Sequence, residues 1–291
     1  MIWLLWLSFA LCLVALAAAG ASSYGNRQWT GATRALTAGL EGARIAEQAG
    51  SASAARFNST ELEGLPAPVQ RYFRAVLREG QPIVSALTIE MAGTLNMSAT
   101  VARWKPFTSR QRVVTRRPGF LWDAEVSLLP GMKVRVVDSY IAGKGLLHAA
   151  VLGMFNVADV SGEGDIARGE FMRFFAEAPW YPTALLPSQG VQWAEVDSRF
   201  ANATIMDGPL TLTLLFRFND AGLIELVRSE ARGGLVGNKV VMMPWECSFS
   251  HYELRDGMTV PVSGEAAWVR PEGRKPYFRG TITSLAYEFA L

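Results

Sequence analysis

Apolar positions along this chain follow three rhythms. From Met1 to Ala21 they are nearly continuous: MIWLLWLSFALCLVALAAAGA carries no charged side chain. About 20 residues at ~1.5 Å each reach ~30 Å, the thickness of a bilayer's hydrocarbon core. This predicts a membrane anchor over residues 1–22. The small residues of ALAAAGA also suit the cleavage site of a signal peptide. The basic start of such a peptide is missing, however, and the run exceeds its usual ~7 to 15 residues, so a retained anchor is favoured. Residues 23–58, rich in Gly, Ala and Ser, predict a stalk without an evident core, partly helical through TRALTAGLEGARIAEQA. The 3.6-residue period then begins. Val69, Tyr72, Phe73, Val76 and Leu77 form one stripe, Pro66 and Pro68 suit a helix start, Gly80 and Pro82 suit its stop, and Arg71, Arg74 and Arg78 occupy the polar face.

Beyond residue 83 the period falls to two. MKVRVVD sets Met132, Val134 and Val136 against Lys133 and Arg135, and LTLTLLFRF aligns Leu210, Leu212, Leu214, Phe216 and Phe218. Turn signals at short intervals, such as Pro130-Gly131 and Asp256-Gly257, indicate antiparallel hairpins. The spacing predicts about six strands before residue 160 and about five after 190. Between them one helix is expected over Ala167–Ala178, with Phe171, Phe174 and Phe175 as its stripe and Pro179 as its end. An antiparallel sheet of about 11 strands must curl, split or close. The expected fold class is therefore mainly β with a few helices: a strongly curved antiparallel sheet covered by helices, one domain over 59–291, preceded by one transmembrane helix.

Composition sharpens this in a few respects. Half the residues are apolar and 19% are charged, ample for a core. A net charge of +2 gives no global pull toward nucleic acid or an acidic partner. Cys12 and Cys247 are the only cysteines, so no disulfide framework exists in the body, and Cys247 reads as a small buried residue. The element order resembles the half-barrel of the lipoprotein-localisation factors, the LolA and LolB group, in which a curved antiparallel sheet wraps helices around an apolar cavity. The segments LPAPVQRYFRAVL, RGEFMRFFAEAPWYPTALLP, PWECSFSHYELRDGMTVPVSGEAAW and YFRGTITSLAYEF resemble the recurring blocks of an uncharacterised bacterial family, a domain of unknown function often preceded by a membrane span. That resemblance implies address and architecture, and no activity.

Candidate chemistry is sparse. His148 and His251 lie far apart in strand-like segments, and no HExxH, GxSxG, Walker, GxGxxG or CxxC motif is present. DVSGEGDIARGE, Asp159–Glu170, has the register of an EF-hand loop, but Ser161 and Glu163 are poor third and fifth ligands and no second loop pairs with it. A strand-to-helix connection is the expected reading. RWKPFTSRQRVVTRR sets Arg110, Arg112 and Arg116 on one strand side, which suits a solvated face or an anionic head group. It lacks the interleaved aromatics of a nucleic-acid groove. No metal and no cofactor is expected.

Aromatic content carries the functional expectation. Trp122, Phe171, Phe174, Trp180, Tyr181, Trp245, Tyr252 and Trp268 are the candidate ligand-binding residues, the lining of a cavity beneath the second helix. The leading expectation is a membrane-anchored, non-enzymatic domain, more extracytoplasmic than cytoplasmic, that binds or carries a lipophilic small molecule. The alternatives are a structural or protein-interaction module of the envelope, and a hydrolase with an unrecognised site built on a histidine.

Overall fold

The computed structural model describes residues 2–48, 55–98, 101–129, 132–236 and 239–290. Helix α1 (Ile2–Gln48) and helix α2 (Ala67–Val76) precede six strands: β1 (Val84–Asn96), β2 (Trp104–Val114), β3 (Gly119–Leu129), β4 (Met132–Ile141), β5 (Lys144–Val151) and β6 (Phe155–Gly162). Helix α3 (Asp165–Ala176) then leads into three 3-10 turns, Ala178–Trp180, Pro182–Leu185 and Pro187–Gln189. Seven strands follow: β7 (Gln192–Glu195), β8 (Phe200–Asp207), β9 (Leu210–Phe218), β10 (Ile224–Val236), β11 (Lys239–Arg255), β12 (Met258–Arg270) and β13 (Gly273–Phe289).

All thirteen strands form one antiparallel sheet in the order β6-β5-β4-β3-β2-β1-β13-β12-β11-β10-β9-β8-β7. It is open, with β6 and β7 at its edges. The six strands before α3 match the sequence reading; after α3 there are two more than expected. The four-residue β7 is too short to show an alternation. The sheet curls strongly, because α3 packs on β3 to β6 at one end and on β9 and β10 toward the other. One hydrogen bond spans this interior: Tyr140 Oη on β4 donates to Asp207 Oδ2 on β8 at 2.6 Å.

The two faces of the sheet carry separate cores. The concave face packs on α2, α3 and the 3-10 turns, and the predicted α2 stripe Val69, Tyr72, Phe73, Val76 and Leu77 is buried there. Leu212, Leu214, Phe216 and Phe218 of β9 point into the same core, as their period requires. On the convex face Trp29 and Leu40 of α1 pack on Ala86, Val114, Leu121, Val137 and Ala150. The segment read as a coreless stalk is thus largely a docked helix. Polar contacts reinforce the docking: Trp29 Nε1 donates to Asp123 Oδ1 at 3.0 Å, and Arg112 pairs with Glu41 at 2.7 Å and with Glu288 at 2.6 Å. The signal was hidden because a narrow stripe of Trp29, Leu36 and Leu40 is enough for a helix lying on a strand face.

Among the described residues no helix is long and apolar enough to cross a membrane. More than half of the side chains in the expected span 1–22, Cys12 included, lie outside the described residues. Ile2, Trp3, Leu5, Trp6, Leu7, Phe9 and Leu13 are exposed on α1.

Candidate functional site

The helix–turn stretch Asp165–Gln189 is the element that fills the concave face. Gly145 of β5 lets α3 lie close: a β-carbon there would stand 2.7 Å from the Ile166 carbonyl. Phe171 stacks on Tyr140 at 5.0 Å, Phe174 packs against Tyr181 at 5.5 Å, and Phe175 meets Phe216 edge-on at 5.7 Å. Pro179 and Pro182 then start successive 3-10 turns, where a missing N–H costs nothing. The backbone of that turn is held at Trp180, whose carbonyl accepts from Tyr287 Oη at 2.6 Å. Its indole lies over β12 because Gly264 has no side chain; a β-carbon would stand 3.0 Å from the ring.

The same helix brings charge into the interior. Glu170, Arg173 and Glu177 recur at helical spacing and share a face. Arg173 is the hub: its Nη1 bonds Asp138 Oδ2 at 2.6 Å and its Nε bonds Glu177 Oε1 at 2.8 Å. Its guanidinium also lies over the rings of Trp122, at 4.8 Å, and Phe120, at 5.0 Å. Gln111 Nε2 donates to the second Glu177 oxygen at 2.7 Å. A second arginine comes from β10. The β10–β11 register shifts between Ser229 and Arg232, and this bulge moves the inward phase from Val227 and Ser229 to Arg232 and Gly234. Arg232, 9% exposed, therefore lies over the Trp245 ring at 4.3 Å.

Three carboxyls, Asp138, Glu170 and Glu177, thus share the interior with two guanidiniums. Burial, and next the charge of Asp138, raise the Glu170 carboxyl to about 8. Asp138 is also raised, by burial first. With Glu170 protonated at neutral pH, two carboxylates balance two guanidiniums, which is how a low-dielectric interior tolerates the cluster.

Beside this cluster a cavity of about 180 Å³ remains, bounded by Trp122, Trp180, Trp245, Phe249, Leu95 and Phe278 and floored by Asp138, Arg173, Glu177 and Arg232. Of the eight candidate binding residues, Trp122, Trp180 and Trp245 line it. The other five do not. Phe171 and Tyr181 are consumed in packing, with Tyr181 Oη bonded to the Phe174 carbonyl, and Phe174 packs on Tyr181 while bordering a separate cleft beside Ala184 and Ile205. Tyr252 bonds the Ile224 carbonyl near α2, and Trp268 stacks on Tyr277 at 6.1 Å. Cys247 is a buried wall of the cavity, its thiol pushed up by burial. Sequence reasoning missed Asp138, Arg173, Glu177 and Arg232. Asp138 was legible, since it continues the even phase of Val134 and Val136 into the core.

The remaining motifs lie elsewhere. His148 stacks on Trp29 on the convex face, 3.5 Å from Asp159; His251 is exposed and its ring bonds Ser250 at 3.1 Å. Neither lines the cavity. Asp159 belongs to β6 while Glu170 is buried on α3, so the EF-hand register is a strand-to-helix connection. Among the described residues no group of three or more His, Cys, Asp or Glu side chains could hold a metal ion. In the basic run, Arg110 pairs with Glu90 at 2.9 Å and Arg112 with Glu41 and Glu288, so these two do not form an open anion patch.

No curated protein matches the chain. Among solved structures it is similar to a LolA superfamily protein from Nitrosomonas europaea, at 8% identity and a TM-score of 0.34, over 77% of this chain and 94% of that one. A β-barrel-like protein of the domain of unknown function DUF1849 from Brucella abortus shares 10% identity at a TM-score of 0.21, over 71% and 99%. A porin-like protein from Bacteroides uniformis shares 8% at 0.24, over 71% and 96%. The sequence match is to a family of unknown function, DUF6920, whose model covers residues 63–287, most of the sheet with both of its inner helices, and the chain belongs to that family.

Proposed function

We propose that this protein is a membrane-attached, non-enzymatic domain that binds or carries a lipophilic small molecule on the concave face of its sheet. The observation that carries this reading is the aromatic-walled cavity left open beside α3. Its volume, about 180 Å³, compares with the roughly 150 Å³ apolar cavity that takes up benzene in an engineered protein. It therefore suits a ring or one acyl segment rather than a whole two-chain lipid. Of the arginines in its floor, Arg173 is held by Asp138 and Glu177 and Arg232 lies over the Trp245 ring, which favours a fixed scaffold. Attachment is supported by the charge-free first 21 residues and by the exposed apolar side chains on α1. Residence of the body on the extracytoplasmic side is part of the same proposal.

Native mass spectrometry on the full chain, purified without delipidation, tests the cavity. A co-purifying apolar species is expected, and Trp245→Ala should change its occupancy. A protein that is empty, and stays so when mixed with free fatty acid, overturns the carrier reading. The small size of the cavity would then favour the interaction module.

A further inference from the structure

We propose that one end of the sheet, the end from which α1 projects, docks on an anionic lipid surface. In an antiparallel sheet whose neighbours follow chain order, alternate hairpins fall at opposite ends. Across the run from β6 to β10 the β1–β2, β3–β4, β5–β6, β10–β11 and β12–β13 connections therefore share one end, whereas the curl brings the β8–β9 connection against the β2–β3 turn, where Arg117 stands 3.6 Å from Asp207. Helix α1 crosses the convex face from that end to the other. Gly25 sits so tightly on the Leu152 carbonyl of the β5–β6 turn that a β-carbon would collide with it, whereas Arg44 reaches Glu288 and Ser85 at the far end. Residues 2–24 consequently continue past the β5–β6 turn, about 35 Å of helix at ~1.5 Å per residue.

Exposed apolar side chains are concentrated at this same end. Leu129 ends β3 and Met132 begins β4, Phe155 and Val157 begin β6, Met97 follows β1 and Met242 lies near the start of β11. Leu129 is 60% and Phe155 65% exposed. Away from this end the exposed large apolar residues, among those described, are Ile45, Val160, Val196, Met206 and Leu254, each on a different element or connection. Exposed apolar side chains on successive hairpin tips of one end are the arrangement of an interaction surface.

Charge identifies the occupant. Around the apolar tips stand Arg103, Arg270 and Lys275 beside the acid Glu272 in the β12–β13 turn, while Lys133 is paired with Glu125 at 2.5 Å. Arg103 and Lys275 are exposed and, among the described residues, have no acidic partner. Apolar tips ringed by cations suit an anionic headgroup layer with hydrocarbon beneath it. A protein interface would instead tend to deplete lysine. The geometry also orients the cavity: its Leu95–Phe278 side is a cross-strand pair next to the β1–β2 hairpin, so docking turns that side toward the lipid.

The inference rests on the membrane-attached reading, and the test separates the two. The full chain, with Cys12→Ala, is reconstituted into vesicles of phosphatidylglycerol and phosphatidylcholine or of phosphatidylcholine alone. Single cysteines at Leu129, Phe155 and Met242, with Val196 and Leu254 as controls, carry an environment-sensitive nitrobenzoxadiazole label; the unsubstituted parent reports any labelling of buried Cys247. Docking predicts that the first three probes blue-shift and are quenched by doxyl lipid in anionic vesicles, while the two controls stay aqueous. Arg103→Glu with Lys275→Glu should reverse the shift without preventing flotation. Flotation with all five probes aqueous overturns the docking and leaves attachment standing. Failure to float overturns attachment itself. A blue shift that follows protein concentration without vesicles assigns the surface to a second copy of the chain and overturns the proposal.

Discussion

Glu170 is the residue at which the physical chemistry of the interior is most readily tested. Its carboxyl is raised to about 8 by burial and by Asp138, whereas in the unfolded chain it titrates near the ordinary ~4.5. Between these values the folded state holds a proton that the unfolded state has lost, so stability falls as pH rises through that window and levels off above it. Glu170→Gln keeps a neutral group of similar shape and cannot ionise. Urea midpoints of wild type and variant should therefore lie closest near pH 5, and the variant should gain, by up to a few kcal/mol, as pH approaches 8. Parallel curves would show that Glu170 is already ionised in the fold. Asp138, raised in the same direction, adds its own slope to both proteins. None of this was visible in a stripe count. Phe171, Phe174 and Phe175 announce the buried face of α3, but Glu170, Arg173 and Glu177 share their spacing, and hydropathy assigns such residues to solvent unless their partners on β2, β4 and β10 are known.

At the scale of elements, α3 is held by how closely its backbone can approach β5. At Gly145 the obstacle to a β-carbon is the backbone of Ile166 and Ala167, which cannot rotate away. Gly145→Ala should therefore lift the helix and destabilise by about 1–3 kcal/mol, the usual cost of overpacking. Gly169, within α3, has nothing within 4 Å of a β-carbon. Gly169→Ala should stabilise by up to about 1 kcal/mol through helix propensity alone. The pair, read by chemical unfolding, separates docking from propensity; a loss of stability in both would mean that α3 is strained as a whole. Elements with a regular period were legible in the sequence: α2, the six strands before α3, and β9. What was not legible depended on partners. Helix α1 looked like a stalk because Trp29 and Leu40 are sparse, and only the convex face of β1 to β5 gives them a core. Arg232 turns inward through a bulge, which breaks the very alternation by which strand faces are read. Trp122, Trp180 and Trp245 could be named as aromatics of the sheet region, but nothing along the chain separates them from Phe171, Tyr252 or Trp268, whose rings are spent in packing.

The whole molecule poses the problem of a thirteen-stranded sheet that curls without closing. Edges β6 and β7 stay open, so the curl must be held from inside. Much of the hold is apolar, through α3, yet one polar link joins strands nine places apart in the sheet order, Tyr140 on β4 to Asp207 on β8, at 2.6 Å. Both side chains are buried, and Arg117 stands 3.6 Å from the other Asp207 oxygen. Tyr140→Phe keeps the ring that stacks on Phe171 and removes only the donor. The carboxylate is then left with one oxygen short of its donor at a largely buried position, which costs about 1–3 kcal/mol. The loss should be unevenly spread: amides of β7 and β8, the short edge tied down by this link, should exchange faster than those of β1 and β13 at the sheet's centre. Asp207→Asn, which keeps an acceptor without the charge, should recover part of the stability lost in Tyr140→Phe. If Tyr140→Phe matched the wild type within about 0.5 kcal/mol and left the β7–β8 amides unchanged, the curl would be held by α3 and the apolar core alone, and the hydrogen bond would be a consequence of the curvature rather than one of its causes.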